Sequence, residues 1–257
     1  VQYIEAGTDH TCALLESGAV KCWGKGGNGR LGNNLTTDAK TPVSVSGIGG
    51  SNPKALAISS GGSHTCAFLN NGTVKCWGAN ASGQLGNNST ADAKTPVAVS
   101  GLTAVIGVSA GGSHTCALLS AYTVKCWGAN ASGQLGNNST TISKVPVVAS
   151  GISSVLSLST GSSHTCVVVP SGWFDHAVKC WGAGGNGRLG NNATTNAKVG
   201  VVSSGTVGAT AVSAGGAHSC SAIVSGQSTT YKCWGAGTSG QLGNNALVDK
   251  LIAVGVA

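Results

Sequence analysis

Apolar and polar residues alternate along this chain in short runs broken by turn-forming residues, and no stretch sustains a period of 3.6. The segment 104–110 (AVIGVSA) is rich in β-branched residues and ends at Gly111 and Gly112. His114–Leu119 (HTCALL) and Thr123–Trp127 (TVKCW) read as a second and third strand. After a turn-rich segment, Gly128–Asn138, Pro146–Ala149 (PVVA) reads as a short fourth strand, with proline at its start where a missing donor does least harm. The pattern predicts an all-β chain with four strands in this block.

The block is repeated. Cys12, Cys66, Cys116, Cys166 and Cys220 each end a His-Thr/Ser-Cys triplet, and Cys22, Cys76, Cys126, Cys180 and Cys233 each sit in Lys-Cys-Trp-Gly. Gly-Gln/Arg-Leu-Gly-Asn-Asn follows every time, and the first cysteines are 54, 50, 50 and 54 residues apart. A period near fifty marks a repeat architecture. The expectation is one domain, 1–257, of five units at about 1–50, 51–104, 105–154, 155–208 and 209–257.

Hairpin arithmetic sets the register. A three-residue loop, Glu16-Ser17-Gly18, places Leu14 opposite Val20, Ala13 opposite Lys21 and Cys12 opposite Cys22, with Gly18 where a left-handed residue is wanted. If that pair is non-hydrogen-bonded, its Cα atoms stand about 4.5 Å apart. The expected disulfides are Cys12–Cys22, Cys66–Cys76, Cys116–Cys126, Cys166–Cys180 and Cys220–Cys233, each worth about 2–3 kcal/mol. Zinc is the rival reading, but its cysteine pairs are usually closer, as in Cys-x2-Cys, whereas at least nine residues intervene here, so no metal is expected. The fourth unit inserts four residues and keeps side-chain parity. The fifth inserts three and calls for a bulge.

The same alternation puts Val20 and Cys22 on one face and Lys21 and Trp23 on the other. Trp23, Trp77, Trp127, Trp181 and Trp234 are expected to wedge between sheets rather than to stack on a ligand. His10, His64, His114, His164 and His218 admit two roles: a hydrogen bond to backbone, or a ring of imidazoles around a channel that holds a metal or an anion.

At these residues the chain resembles a known family. The run 111–119 (GGSHTCALL) followed by 124–136 (VKCWGANASGQLG) is similar to the repeat of the regulator of chromosome condensation family, and the resemblance covers essentially the whole sequence. It implies a β-propeller of four-stranded blades. The family usually has seven blades, while five units stand here, and the paired cysteines look like those of secreted bacterial members. The best-known member is a nuclear exchange factor for a small GTPase that binds chromatin; five disulfides fit a nucleus poorly. Another member senses ultraviolet light through a Gly-Trp-Arg-His-Thr run, which is missing here. The resemblance therefore implies the scaffold more than an activity. Val1–Ala6 supplies a first strand and Leu251–Ala257 a last one. If the last strand joins the first blade, the ring is sealed; if it joins another molecule, a polymer results.

Composition sharpens the picture. Forty-two glycines and 8% charged residues would suggest disorder if unpatterned, but most glycines recur at fixed offsets and read as turns. No run of 18 apolar residues exists to span a membrane, and with no initial Met or signal peptide the chain reads as a mature or trimmed product. Ten regularly paired cysteines point to an oxidising, extracellular or cell-surface location. Potential glycosylation sequons occur at Asn34, Asn71, Asn80, Asn87, Asn88, Asn130, Asn137, Asn138 and Asn192.

The net charge of +7 is arranged in two sets. Lys21, Lys75, Lys125, Lys179 and Lys232 precede the second cysteines, and Lys40, Lys94, Lys144, Lys198 and Lys250 precede the fourth strands. They form either anion-attracting belts or solvated rims that keep sheet edges from pairing. Nucleic acid is disfavoured because Arg30 and Arg188 are the only arginines. The acids Glu5, Asp9, Glu16, Asp38, Asp92, Asp175 and Asp249 show no recurring pair for acid–base work, and no catalytic residue or cofactor is assigned. The repeat is broken in the fourth unit, where Trp173, Phe174, Asp175 and His176 form a hairpin tip suited to a sugar or protein contact, or to folding back on its own blade. The expected function is a non-catalytic structural or adhesive module that binds a protein or glycan on a cell surface. The alternatives are a subunit of a self-assembling extracellular filament or surface layer and, with less support, a carbohydrate-active enzyme.

Overall fold

The computed structural model describes residues 1–49, 53–172 and 175–257. Its strands form five four-stranded antiparallel sheets, each built from consecutive strands. Sheet 1 holds β1 (Tyr3–Ala6), β2 (His10–Leu14), β3 (Val20–Gly24) and β4 (Ala39–Ser44). Sheet 2 holds β5 (Ala55–Ser60), β6 (His64–Leu69), β7 (Val74–Gly78) and β8 (Ala93–Ala98). In sheet 3 are β9 (Val105–Ala110), β10 (His114–Leu119), β11 (Val124–Gly128) and β12 (Ser143–Val148). Sheet 4 contains β13 (Ser157–Thr160), β14 (His164–Pro170), β15 (His176–Gly182) and β16 (Ala197–Val202). Sheet 5 contains β17 (Ala209–Ala214), β18 (His218–Ser225), β19 (Ser228–Gly235) and β20 (Lys250–Gly255). Among the described residues, no helix is long and apolar enough to cross a membrane.

The first hairpin has the register that its loop dictates. Leu14 faces Val20, Ala13 faces Lys21, Cys12 faces Cys22, and Gly18 closes the loop at φ +79°. All ten cysteines are bonded across this central strand pair, one disulfide per sheet, with Cα separations of 4.0–4.1 Å, tighter than the 4.5 Å expected.

Three expectations are corrected. The odd insertion in the fifth unit creates no bulge between β18 and β19: pairing runs unbroken from His218↔Gly235 to Ser225↔Ser228. The loop shortens to Gly226-Gln227, and exchanging a three-residue loop for a two-residue one absorbs the parity change. The fourth strands start earlier than proposed, so Pro146 lies inside β12 rather than at its start. Proline is tolerated there because the fourth strand is an edge: Pro42 and Pro96 fall in the stretch where β4 and β8 slip register against β3 and β7. Finally, the last strand does not join the first sheet; β20 pairs with β19 in its own sheet.

The chain divides into two compact units. The first comprises Val1–Ser120, Lys125–Ala129 and Ile142–Val147; the second comprises Ala121–Val124, Asn130–Thr141 and Val148–Ala257. In each unit, the disulfide of one sheet packs beneath the tryptophan of the next. Trp77 shares a core with Cys12 and Cys22, Trp127 with Cys66 and Cys76, and Trp234 with Cys166 and Cys180. In β3, β7, β15 and β19 the tryptophan sits at the register slip, between Cys22 and Gly24 and at the equivalent places.

Candidate interaction surface

Each sheet meets the next through one repeated set of hydrogen bonds. In the first unit, Trp77 Nε1 donates to the Arg30 carbonyl at 2.9 Å, and Thr65 Oγ1 donates to the same oxygen at 3.2 Å. Trp127 and Thr115 do the same at the Gln84 carbonyl, both at 2.9 Å. In the second unit Trp181 and Thr165 share the Gln134 carbonyl, and Trp234 and Ser219 share that of Arg188. A second link is made by backbone: Asn34, Asn88 and Asn138 N–H groups donate to the carbonyls of Lys94, Lys144 and Lys198.

The histidines belong to this set. His10 Nε2 lies 2.8 Å from Thr65 Oγ1, His64 Nε2 2.9 Å from Thr115 Oγ1, and His164 Nε2 2.9 Å from Ser219 Oγ. The hydroxyl already gives its proton to a carbonyl, so the imidazole must donate from Nε2, which fixes the neutral tautomer. Their partner is therefore a hydroxyl of the following repeat, not backbone. Burial pushes His10 down to about 4, with the Arg30 charge adding to it, and pushes His64 to about 3 and His114 to about 4. His218 is also held below the usual imidazole range, again by burial. Among the described residues, no group of three or more His, Cys, Asp or Glu side chains could hold a metal ion.

The acids are tied into loops. Asp38 Oδ1 accepts from Gly26 N–H, Asp92 Oδ1 from Asn80 N–H, and Asp249 Oδ1 from Gly237 N–H, with Asn196 in the same role for Gly184. Asp92 and Asp249 also accept from Asn28 and Asn186 Nδ2 of the preceding repeat, at 2.7 and 2.8 Å. The sequence reading missed this recurrence. Its signal was a constant twelve-residue step from the loop glycine or asparagine to the acid. Glu5 accepts from Tyr3, and Asp9 pairs with Lys25 and Arg30 at 3.5 and 3.8 Å. Arg30 is itself buried, its guanidinium donating to Gly27 O and Asn28 Oδ1.

The lysines divide differently from expectation. Lys21, Lys75, Lys125, Lys179 and Lys232 are half-buried, and Lys232 Nζ donates to Gly205 O at 2.9 Å. Lys40, Lys94, Lys144 and Lys198 are exposed at equivalent positions. Lys250 leaves that set: it takes the place of Ala39, Ala93 and Ala197 opposite the glycine after tryptophan, and Leu251 takes the lysine place. Asp249 keeps its step to Gly237, but the one residue that separates acid from lysine elsewhere is missing. The second belt therefore has four members.

Asn80 and Asn130 are fully buried. Asn80 Oδ1 accepts from Leu85 N–H while its Nδ2 donates to Asn87 Oδ1, Ser89 O and Ala91 O, and Asn130 repeats the arrangement. These two sequons are loop staples, not folded-state glycan acceptors. Asn34, Asn71, Asn88, Asn138 and Asn192 are exposed, and Asn87 and Asn137 are half-buried. Trp173 and Phe174 lie outside the described residues. Asp175 is exposed, its carbonyl accepting from Ser171 N–H, and His176 is half-buried opposite Pro170.

The terminal sheets differ from the inner ones. Trp77, Trp127, Trp181 and Trp234 are completely buried, yet Trp23 is half-exposed. Ile4 is 58% exposed, whereas Ile58, at the same place in sheet 2, is 3% exposed. In sheet 5, Cys220 and Ala222 are half-buried, and Tyr231 is 61% exposed where Val20, Val74, Val124 and Val178 are buried. Val212, Cys220, Ala222 and Tyr231 line an apolar groove there.

A family model for the regulator of chromosome condensation (RCC1) repeat matches residues 17–68, 71–118 and 124–168, and a second RCC1-repeat model matches 1–30, 56–84 and 105–134. The chain belongs to the RCC1 repeat family. It is 37% identical over 99 residues to the human E3 ubiquitin-protein ligase HERC2, across 38% of this chain and 2% of that protein. It is 36% identical over 103 residues to the Arabidopsis thaliana ultraviolet-B receptor UVR8, across 40% of this chain and 23% of the receptor. Among solved structures, yeast RCC1 (Prp20) bound to Kap60 aligns with TM-score 0.84 at 20% identity, covering 99% of this chain and 60% of that one. Human WBSCR16 aligns with TM-score 0.82 at 20% identity, covering 99% and 66%. The chain thus spans less than two thirds of each of these proteins, and the structural matches establish the fold: an RCC1-type β-propeller architecture with five four-stranded blades and one disulfide in each.

Proposed function

We propose that these five RCC1 repeats act as a single non-catalytic module in an oxidising, extracellular setting, a rigid structural or adhesive scaffold that holds a protein or glycan partner at a cell surface. The observation that carries this reading is that every one of the ten cysteines is bonded within its own blade. A reducing cytosol would oppose those bonds. The side chains that could do chemistry support it further: His10, His64 and His164, the recurrent aspartates and Arg30 are used to join or brace blades. One matched structure holds the same fold bound to a protein, Kap60, which favours a protein partner. The exposed lysines Lys40, Lys94, Lys144 and Lys198 suit an acidic partner surface, and the fourth-blade insertion of Trp173, Phe174, Asp175 and His176 suits a local contact.

The test is binding of the oxidised protein, produced by secretion, to immobilised glycans and cell-surface proteins. Saturable binding lost on reduction supports the module. Release of reducing sugar from a polysaccharide would replace it with an enzyme.

A further inference from the structure

The linker that leads into sheet 4 is held differently from its counterparts. In sheets 2, 3 and 5 the residue six places after the repeat's histidine ties the incoming linker down by its backbone. Asn70 N–H donates to Lys54 O at 2.9 Å, Ser120 N–H to Ala104 O at 2.8 Å, and Val224 N–H to Gly208 O at 2.9 Å. In sheet 4 the equivalent residue is Pro170, which has no N–H to give. The Ser154 carbonyl therefore lacks the bond that closes this seam elsewhere.

A second tie is missing at the same place. In sheet 5, Lys232 Nζ donates to the Gly205 carbonyl of the incoming linker at 2.9 Å. The equivalents in sheet 4 are Lys179 and Gly151, and the Lys179 ammonium has no hydrogen bond or ion pair among the described residues. With both ties absent, Gly151, Ser153, Ser154, Val169, Pro170 and Lys179 surround a cavity of about 230 Å³, and all of them lie in the second compact unit. The insertion of the fourth unit raises the wall of this cavity. The ladder of β14 and β15 runs on to Pro170↔His176, whereas the second strands of sheets 2 and 3 stop at Leu69 and Leu119.

The lining combines three chemistries. Lys179 brings a charge and a set of donors, the Ser153 and Ser154 hydroxyls each donate and accept, and Val169 and Pro170 are apolar. Both serines and Pro170 are exposed and Lys179 is half-buried, so the cavity is open to solvent. A lone ammonium beside two hydroxyls and an apolar wall matches a ring with one anionic arm, several hydroxyls and a C–H face. The volume falls below the about 300–1,000 Å³ of drug-sized sites, which suits one such ring and not a chain of them. An acidic protein side chain would satisfy the lysine and leave both serines without a role.

We propose that this cavity binds a single uronic acid unit of an acidic glycan, with the carboxylate on Lys179, sugar hydroxyls on Ser153 and Ser154, and the C–H face of the ring against Pro170. This names a ligand class within the interaction-module reading and rests on it.

The test is titration of the full oxidised, isotope-labelled chain with sodium glucuronate, followed by amide chemical shifts. Saturable shifts should appear at Gly151, Ser153, Ser154 and Lys179, with a Kd on the order of 1 mM. Glucose has the same ring without the charge and should bind at least about 10-fold more weakly. Lys179→Gln should lower glucuronate affinity about 10-fold and erase its advantage over glucose. Ser153→Ala with Ser154→Ala, at two exposed positions, should weaken both sugars, and the dispersion of the amide spectrum verifies that each variant folds. The proposal is overturned by the absence of saturable shifts at these amides, by unchanged affinity in folded Lys179→Gln, or by acetate or a glutamate-containing peptide binding as tightly as glucuronate. A protein that fails in any of these ways yet still binds other glycans or cell-surface proteins retains the module and loses only this site.

Discussion

Trp77 Nε1 and the Arg30 carbonyl meet at 2.9 Å across 47 residues of sequence. The indole fills the space over the preceding disulfide, and its single donor is satisfied by a loop carbonyl that also accepts from Thr65 Oγ1. One side chain therefore contributes both shape and polarity to the junction.

Replacing Trp127 separates those two contributions. Trp127→Phe keeps most of the ring and loses the donor to Gln84, and should cost about 1–3 kcal/mol. Trp127→Ala also opens a cavity and should cost about 3–5 kcal/mol. Denaturant midpoints measured without reductant compare the two.

The disulfides make a second expectation. Cys116→Ala with Cys126→Ala removes a link of sequence separation 10 and should cost about 3 kcal/mol. Intact mass of the untouched protein should rise by ten hydrogens on full reduction, since five bonds hold ten cysteines.

Acid should loosen the fold through the histidines. An unfolded histidine takes its proton near 6.5, while His10, His64 and His114 resist until about 4, 3 and 4. Between those values the unfolded chain binds more protons, so stability is complete above 6.5 and falls as pH drops toward 3–4, by about 1 kcal/mol per pH unit for each such group. Denaturant midpoints at pH 7 and 5 read this slope, and His64→Gln should flatten it.

In a glycosylating host, sugar is expected only at exposed sequons among Asn34, Asn71, Asn88, Asn138 and Asn192, and none at Asn80 or Asn130. Peptide mapping after glycosidase treatment decides it. Occupancy at Asn80 would mean that its buried amide network does not form.

Much of the scaffold was legible because it depends on local chemistry. The alternation around Cys12 and Cys22, with a glycine at the loop, dictates both hairpin and disulfide. What escaped was non-local or depended on a single-residue step. Nothing in the His-Thr-Cys triplet says that His10 reaches Thr65, because the two meet only after neighbouring sheets pack. Lys250 looked like its four counterparts until strand pairing showed Leu251 in their place. The aspartates looked scattered because their shared role is visible only against the loop amide each one accepts.

Because Trp77, Trp127, Trp181 and Trp234 address a main-chain oxygen, the side chain at that loop position can differ between blades, and Arg30, Gln84, Gln134 and Arg188 all serve. Successive sheets are thus interchangeable parts. Duplicating or excising a whole block of about fifty residues leaves every joint chemically intact, so the gene can lengthen or shorten its product without redesigning any seam.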